Sequence, residues 1–185
     1  MSLLDIRVLG DSILRVETTP VVAITDELRQ LARDMFETMH AAKGIGLAAP
    51  QVGRRERLAV VDVGDNPLVI INPEVMHAEG KAKAEEGCLS IPDIYGDVER
   101  PTIVRVRAVD LDERPFEIAA DELFARCLQH EIDHLHGKLF IDYLSVLKRR
   151  AAQAKWLKEK DKYPGFLRRL TPGEVAAHHH RDEEL

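Results

Sequence analysis

Cysteine is scarce in this chain of 185 residues: there are two, Cys88 and Cys127. A domain held together by disulfides would carry more, so both are read as reduced thiols, and one is a candidate metal ligand. Long apolar runs are also missing. No stretch approaches the roughly 18 residues of a membrane span. The first ten residues lack a basic stretch followed by an apolar one, the mark of a secretory leader. Together these absences predict a cytoplasmic protein with no membrane partner. An excess of basic charge is absent too. The formal net charge of -6 argues against a general nucleic-acid binder, and no DNA partner is expected. No internal repeat is found.

What is present suits one globular domain. Hydrophobic residues make up 45% of the chain and charged ones 31%, enough for a sizeable core under a solvated surface. A single catalytic domain is expected over 1–170, with a loose tail over 171–185 that carries His178–His180.

Residues 1–24 read as an irregular arm. A helix is predicted from Thr25 to about Lys43. Thr25 caps it, Asp26 and Glu27 sit in its first turn, and Leu28, Leu31, Ala32, Met35, Phe36 and Met39 form its apolar stripe. Strands are expected at Leu58–Val63, Leu68–Ile71, somewhere in Val75–Glu86, and at Thr102–Leu111, with Phe116–Ala119 pairing back. A second helix spans about Asp121–His136, with Gly137 following as its C′ residue. A basic helix covers 146–162. The expected fold is α+β: mostly antiparallel sheets packed around a central helix, with an N-terminal helix and a C-terminal helix.

The central helix carries the strongest motif, His130-Glu131-Ile132-Asp133-His134. Histidines four apart share one helix face and can reach one metal. Glu131 points about a hundred degrees away, so it suits a water beside the metal better than the metal itself. A catalytic site of this kind needs a third protein ligand. His136, Asp142 and the tail histidines are poorly placed for it. Cys88, in Glu85-Glu86-Gly87-Cys88-Leu89-Ser90, is the better candidate, because a thiolate is a strong soft ligand. Cys127 competes, although three residues before His130 it is better placed to line a pocket. The dense small residues of Gly44–Gln51 would let a ligand approach the backbone. A tight connection between helix and strand explains them equally well.

Gly44–Gln51, Glu86–Ser90 and Gln129–His134 stand in this order, and together they resemble the three motifs of the peptide deformylases. The resemblance spans residues 3–150 or so, and the basic C-terminal segment looks like the bacterial type with a C-terminal helix. It implies that Cys88 completes a site with His130 and His134. The implied native metal is Fe²⁺, with Zn²⁺, Ni²⁺ or Co²⁺ able to replace it. The implied reaction removes the formyl group from the N-terminal formyl-methionine of nascent polypeptides and releases formate. Glu131 would act as general acid and base. The Gln51 amide and the Leu89 backbone N–H would stabilise the oxyanion. Ile45, Leu123, Cys127 and the ring of His130 would wall a methionine-sized pocket, with Glu86 at its rim. Backbone groups of Ile45, Gly46 and Gly87 would hold the peptide as an added strand.

Tyr95 stands where some relatives place an arginine, so contacts beyond the first substrate residue are not carried over. Arg126 is a further charge near the pocket, whose ordinary reading is a solvated surface side chain. From Ser145 to Leu170 nine basic residues stand against two acidic ones. The resemblance implies that this segment, 148–169, docks on ribosomal RNA, which would make the ribosome a partner. Two rival readings are a metallopeptidase and a binding protein with a structural metal. The first lacks its downstream ligand, and the second would want a fourth one.

Overall fold

A computed structural model describes residues 3–170. The expected tail, 171–185 with His178–His180, lies outside the described residues. The order of elements is β1 (Ile6–Arg7), α1 (Asp26–Ala41), β2 (Gly46–Ala48), β3 (Leu58–Asp62), β4 (Pro67–Glu79), β5 (Ala82–Cys88), β6 (Ile91–Arg100), β7 (Ile103–Val109), β8 (Pro115–Asp121), α2 (Glu122–Leu135), α3 (Val146–Glu159) and β9 (Leu167–Arg168). Single 3₁₀ turns fill several of the connections.

All pairs among these strands are antiparallel. One sheet has the order β2-β3-β4-β7-β8, and β5-β6 and β1-β9 form two separate ribbons. The fold is α+β with the motif helix at its centre, as the hydrophobic pattern and the resemblance imply.

The alternation of β3 explains why helices lie on both of its faces. Ala59 and Val61 point into the cluster that contains Ala125, Leu128 and Ile132 of α2. Leu58 and Val60 point the other way, into the cluster of Leu28, Leu31, Met35 and Met39 of α1. Small residues, Ala48, Ala59 and Ala125, make the α2 side and let the helix sit close to the sheet. A third cluster joins Ile91, Ile94 and Val98 of β6 to Phe140 and to Trp156 of α3.

Local chemistry sets the helix ends. Thr25 Oγ1 accepts from Leu28 N–H at 3.2 Å, capping α1. After α2, Gly137 takes φ 69°, and a Cβ there would meet the backbone of Arg15.

Three expectations are refined. The arm is irregular for most of its described length, but it is anchored: Ile6 and Val8 are fully buried, and Ile6–Arg7 pairs with Leu167–Arg168. Val75–Glu86 is not one strand. It is the end of β4 and most of β5, divided at Gly80, whose φ of 70° turns the chain. β6 was not anticipated, because Pro92, Asp93 and Gly96 mask its pattern, yet it pairs with β5 from Ala82↔Arg100 to Cys88↔Ile91.

Candidate metal centre and active site

Two elements meet at the site. His130 and His134 project from one face of α2 and are buried. Cys88 ends β5, where the register with β6 shifts between Glu86 and Cys88. Such a bulge re-aims the residues after it. Cys88 Sγ lies 3.3 Å from His134 Nε2, which lies 3.2 Å from His130 Nε2. The three ligand atoms are all within 4.8 Å of one another, so this group could hold a metal ion. A soft thiolate with two imidazoles fits a divalent transition metal. Burial, then the neighbouring His130 and Arg100, push His134 well below the usual imidazole range and keep it in the neutral form that ligates. Its Nδ1 and Glu131 Oε2 are buried without a hydrogen-bond partner among the described residues.

Burial in the helix pushes the Glu131 carboxyl up to about 7. His130 and Arg100 oppose this, and Glu86 and Asp133 reinforce it. Gly46 of β2 packs on that carboxyl so closely that a Cβ would collide with it. The missing side chain at Gly46 thus leaves room for the carboxylate beside the strand. Gln51 is buried. Its Oε1 accepts from Ala48 N–H at 2.8 Å, and its Nε2 reaches Ser90 Oγ at 3.2 Å and Cys88 Sγ at 3.6 Å.

A cavity of about 810 Å³ opens over these groups. Ile45, Gly46, Gln51, Glu86, Gly87, Cys88, Leu89, Leu123, Cys127, His130 and Glu131 all line it, while His134 lies deeper. Ile45 and Leu123 are 42% and 55% exposed, so they are not ordinary core residues. Cys127 is buried and its thiol donates to the Ile45 carbonyl at 3.4 Å.

The surroundings of two residues were not anticipated. Glu86 lines the cavity, but as an engaged carboxylate rather than a free one. It is 6% exposed, and it accepts from Arg100 at 2.5 and 3.0 Å, from Arg126 at 2.8 Å and from His130 Nδ1 at 3.1 Å. Burial opposes its charge, but the His130 and Arg100 bonds prevail and hold it at about 2. Arg126 is no solvated surface residue either, since its side chain is 12% exposed and bonded to Glu86, Val98 O and Ala82 O.

Arg100, Asp133 and Ser90 escaped the sequence reading. Arg100 bridges Glu86 and Asp133, and Tyr143 adds its hydroxyl to Asp133 and its ring beneath the guanidinium. A charge in the inward phase of a strand was the available signal, but β6 itself was not recognised.

A buried carboxylate beside a Cys/His/His donor set, on an α+β frame with a deep cleft, defines a metallohydrolase. The family model described as Polypeptide deformylase matches residues 3–150. The chain is 53% identical over 159 residues to the peptide deformylase of Alkalilimnicola ehrlichii, covering 84% of this chain and 89% of that one. It is 54% identical to that of Acinetobacter baumannii, with 84% and 90% covered. Among solved structures, a peptide deformylase from Legionella pneumophila superposes with TM-score 0.83 at 46% identity, covering 86% of this chain and 96% of that one. One from Synechococcus elongatus, in complex with actinonin, gives 0.79 at 48%, with 82% and 86% covered. The chain belongs to the polypeptide deformylase family. It is a hydrolase of a metal-dependent family, and it removes the N-formyl group from the N-terminal formyl-methionine of nascent polypeptides.

Proposed function

We propose that Cys88, His130 and His134 hold one divalent metal, natively Fe²⁺, and that Glu131 moves the proton in formyl hydrolysis. The convergence of three ligand atoms from two elements beside an unpartnered, buried carboxylate supports this reading. The donor set accepts Zn²⁺, Ni²⁺ or Co²⁺ as well. When bound, the metal supplies Lewis acidity and hydroxide at neutral pH. Glu131, with a pKa of about 7, is matched to taking a proton and then returning it to the departing amine nitrogen. The Gln51 amide, fixed at its oxygen by Ala48 N–H, aims its donor end into the site. With the Leu89 backbone N–H it stabilises the oxyanion.

The first substrate side chain enters between Ile45, Leu123, Cys127 and the ring of His130. Its backbone adds as a strand. β2 is the edge of its sheet, and β5 is paired on one side only, so Gly46 and Gly87 both offer open edges at the cavity. Glu86 is assigned to holding His130 rather than to touching substrate, because carboxylate partners of this sort fix the ring of a ligating histidine.

The protein works in the cytoplasm, at the ribosome, and docks through its basic C-terminal helix. No helix among the described residues is long and apolar enough to cross a membrane. Arg150, Lys158 and Lys160 are exposed on that segment. Formate release from formyl-Met-Ala-Ser by anaerobically purified protein, with metal content assayed, tests the site. Release by the parent and none by metal-loaded Glu131→Ala is expected. Equal release by both removes Glu131, and Fe-free activity of the freshly purified protein removes iron.

A further inference from the structure

The ligand set is divided between a helix and a ribbon that share no sheet. The β5-β6 ribbon carries Cys88, and it forms backbone hydrogen bonds within itself rather than with the five-stranded sheet. Side chains must therefore hold it against α2 at the separation a metal requires.

Arg126 does this from the helix side. Its Nη1 donates to Glu86 Oε1 at 2.8 Å and to the Val98 carbonyl at 2.9 Å, and its Nη2 donates to the Ala82 carbonyl at 2.8 Å. These three acceptors lie near the end of β5, near the end of β6 and at the start of β5. Arg100 works in the opposite sense, from β6 to Asp133 of α2, and both guanidinium groups meet at Glu86. Arg126 follows Leu123 by one turn and precedes His130 by another, so it is rooted on the same helix face as the ligands. A planar fork satisfies three acceptors at once, which a lysine ammonium on a flexible stem does poorly. Resting on the ligand assignment above, we infer that Arg126 is a positioning residue. It fastens the ribbon to α2, and so sets where Cys88 stands relative to His130 and His134.

The test uses Arg126→Met, Arg126→Ala and Arg126→Lys. Glu86 keeps Arg100 and His130 in each of them, so no buried charge is orphaned. Arg126→Met also keeps the buried stem, and it carries the test if Arg126→Ala fails to fold. Each protein is loaded with Co²⁺. The cobalt–thiolate absorption band is recorded, affinity is measured against a chelator, and kcat and KM are determined on a formyl-Met peptide. The Met and Ala variants are expected to bind Co²⁺ about tenfold more weakly or worse, with an altered thiolate band and a lowered kcat. Arg126→Lys should recover part of each. A merely structural role would lower the melting temperature and leave band and affinity at the parent's values, which overturns the inference. So does a rise in KM alone, which would make Arg126 a pocket wall. A parent without a thiolate band, unaffected by Cys88→Ser, would instead overturn the ligand assignment itself, and the inference with it.

Discussion

Gln51 is held at its oxygen by Ala48 N–H, and its amide nitrogen faces Ser90 and Cys88. Leucine has nearly the same shape and no donor. Gln51→Leu should therefore keep fold and metal while losing about 3 kcal/mol of barrier lowering, roughly a hundredfold in kcat. Steady-state kinetics beside metal analysis checks this, and an active variant removes Gln51 from the mechanism. Gly46 gives the complementary case. The Glu131 carboxyl lies where a Cβ at this position would stand, so an added methyl would have to displace that group. Gly46→Ala should fold and bind metal but lose most of its kcat. Retained activity would mean that the carboxylate has room to move. At this scale the sequence was informative. Two histidines and a glutamate in one helical repeat announce their geometry, because a helix fixes relative directions. The partners of Glu86 and Arg126 were missed for the opposite reason. Whether a charge meets water or a partner depends on the element packed opposite, and here that element is β6 with Arg100 and Val98.

The elements with local signals were readable: α1 with its Thr25 cap, α2 with Gly137 after it, and the β7-β8 pair. β1, β6 and β9 were not. Ile6–Arg7 and Leu167–Arg168 are too short to show a period, and each exists as a strand only because of the other. The placement of Cys88 depends on a ribbon whose second strand was hidden by Pro92 and Gly96. For α3, the basic composition was plain, but its anchoring was not. Trp156 is 5% exposed and stacks with Tyr163, so deleting the helix would remove core as well as charge. Neutralising Arg150, Lys158 and Lys160 to glutamine is the cleaner test of docking. Co-sedimentation with ribosomes should weaken at low salt, the parent's own binding should fall steeply as salt rises, and hydrolysis of a short formyl peptide should not change. Undiminished co-sedimentation would exclude the helix as a docking element.

For the whole molecule, the Glu86 network couples the site to acid stability. The native carboxyl sits at about 2 against an ordinary 4.5. A lowered native pKa means that the unfolded chain binds the extra proton. The stabilisation is therefore complete above pH 4.5 and fades as pH falls toward 2. The shift corresponds to about 3 kcal/mol. Urea titrations of metal-stripped parent and Glu86→Gln should show the parent losing more stability than the variant across this window, by about that amount. Parallel curves would mean that the network contributes nothing to the acid transition.

The pairing of β1 with β9 has a bearing on how the protein is made. Ile6–Arg7 leaves the ribosome more than a hundred and fifty residues before Leu167–Arg168. β1 thus waits, unpaired, while the residues between the two strands are synthesised. Loop closure over such a separation is slow compared with forming a local hairpin. A product cut short before Leu167 would leave β1 without its partner strand, an open edge offered to proteolysis or to a neighbouring chain. An enzyme that trims the beginnings of other nascent chains thus has a strand of its own, β1, that cannot pair until Leu167–Arg168 has been made.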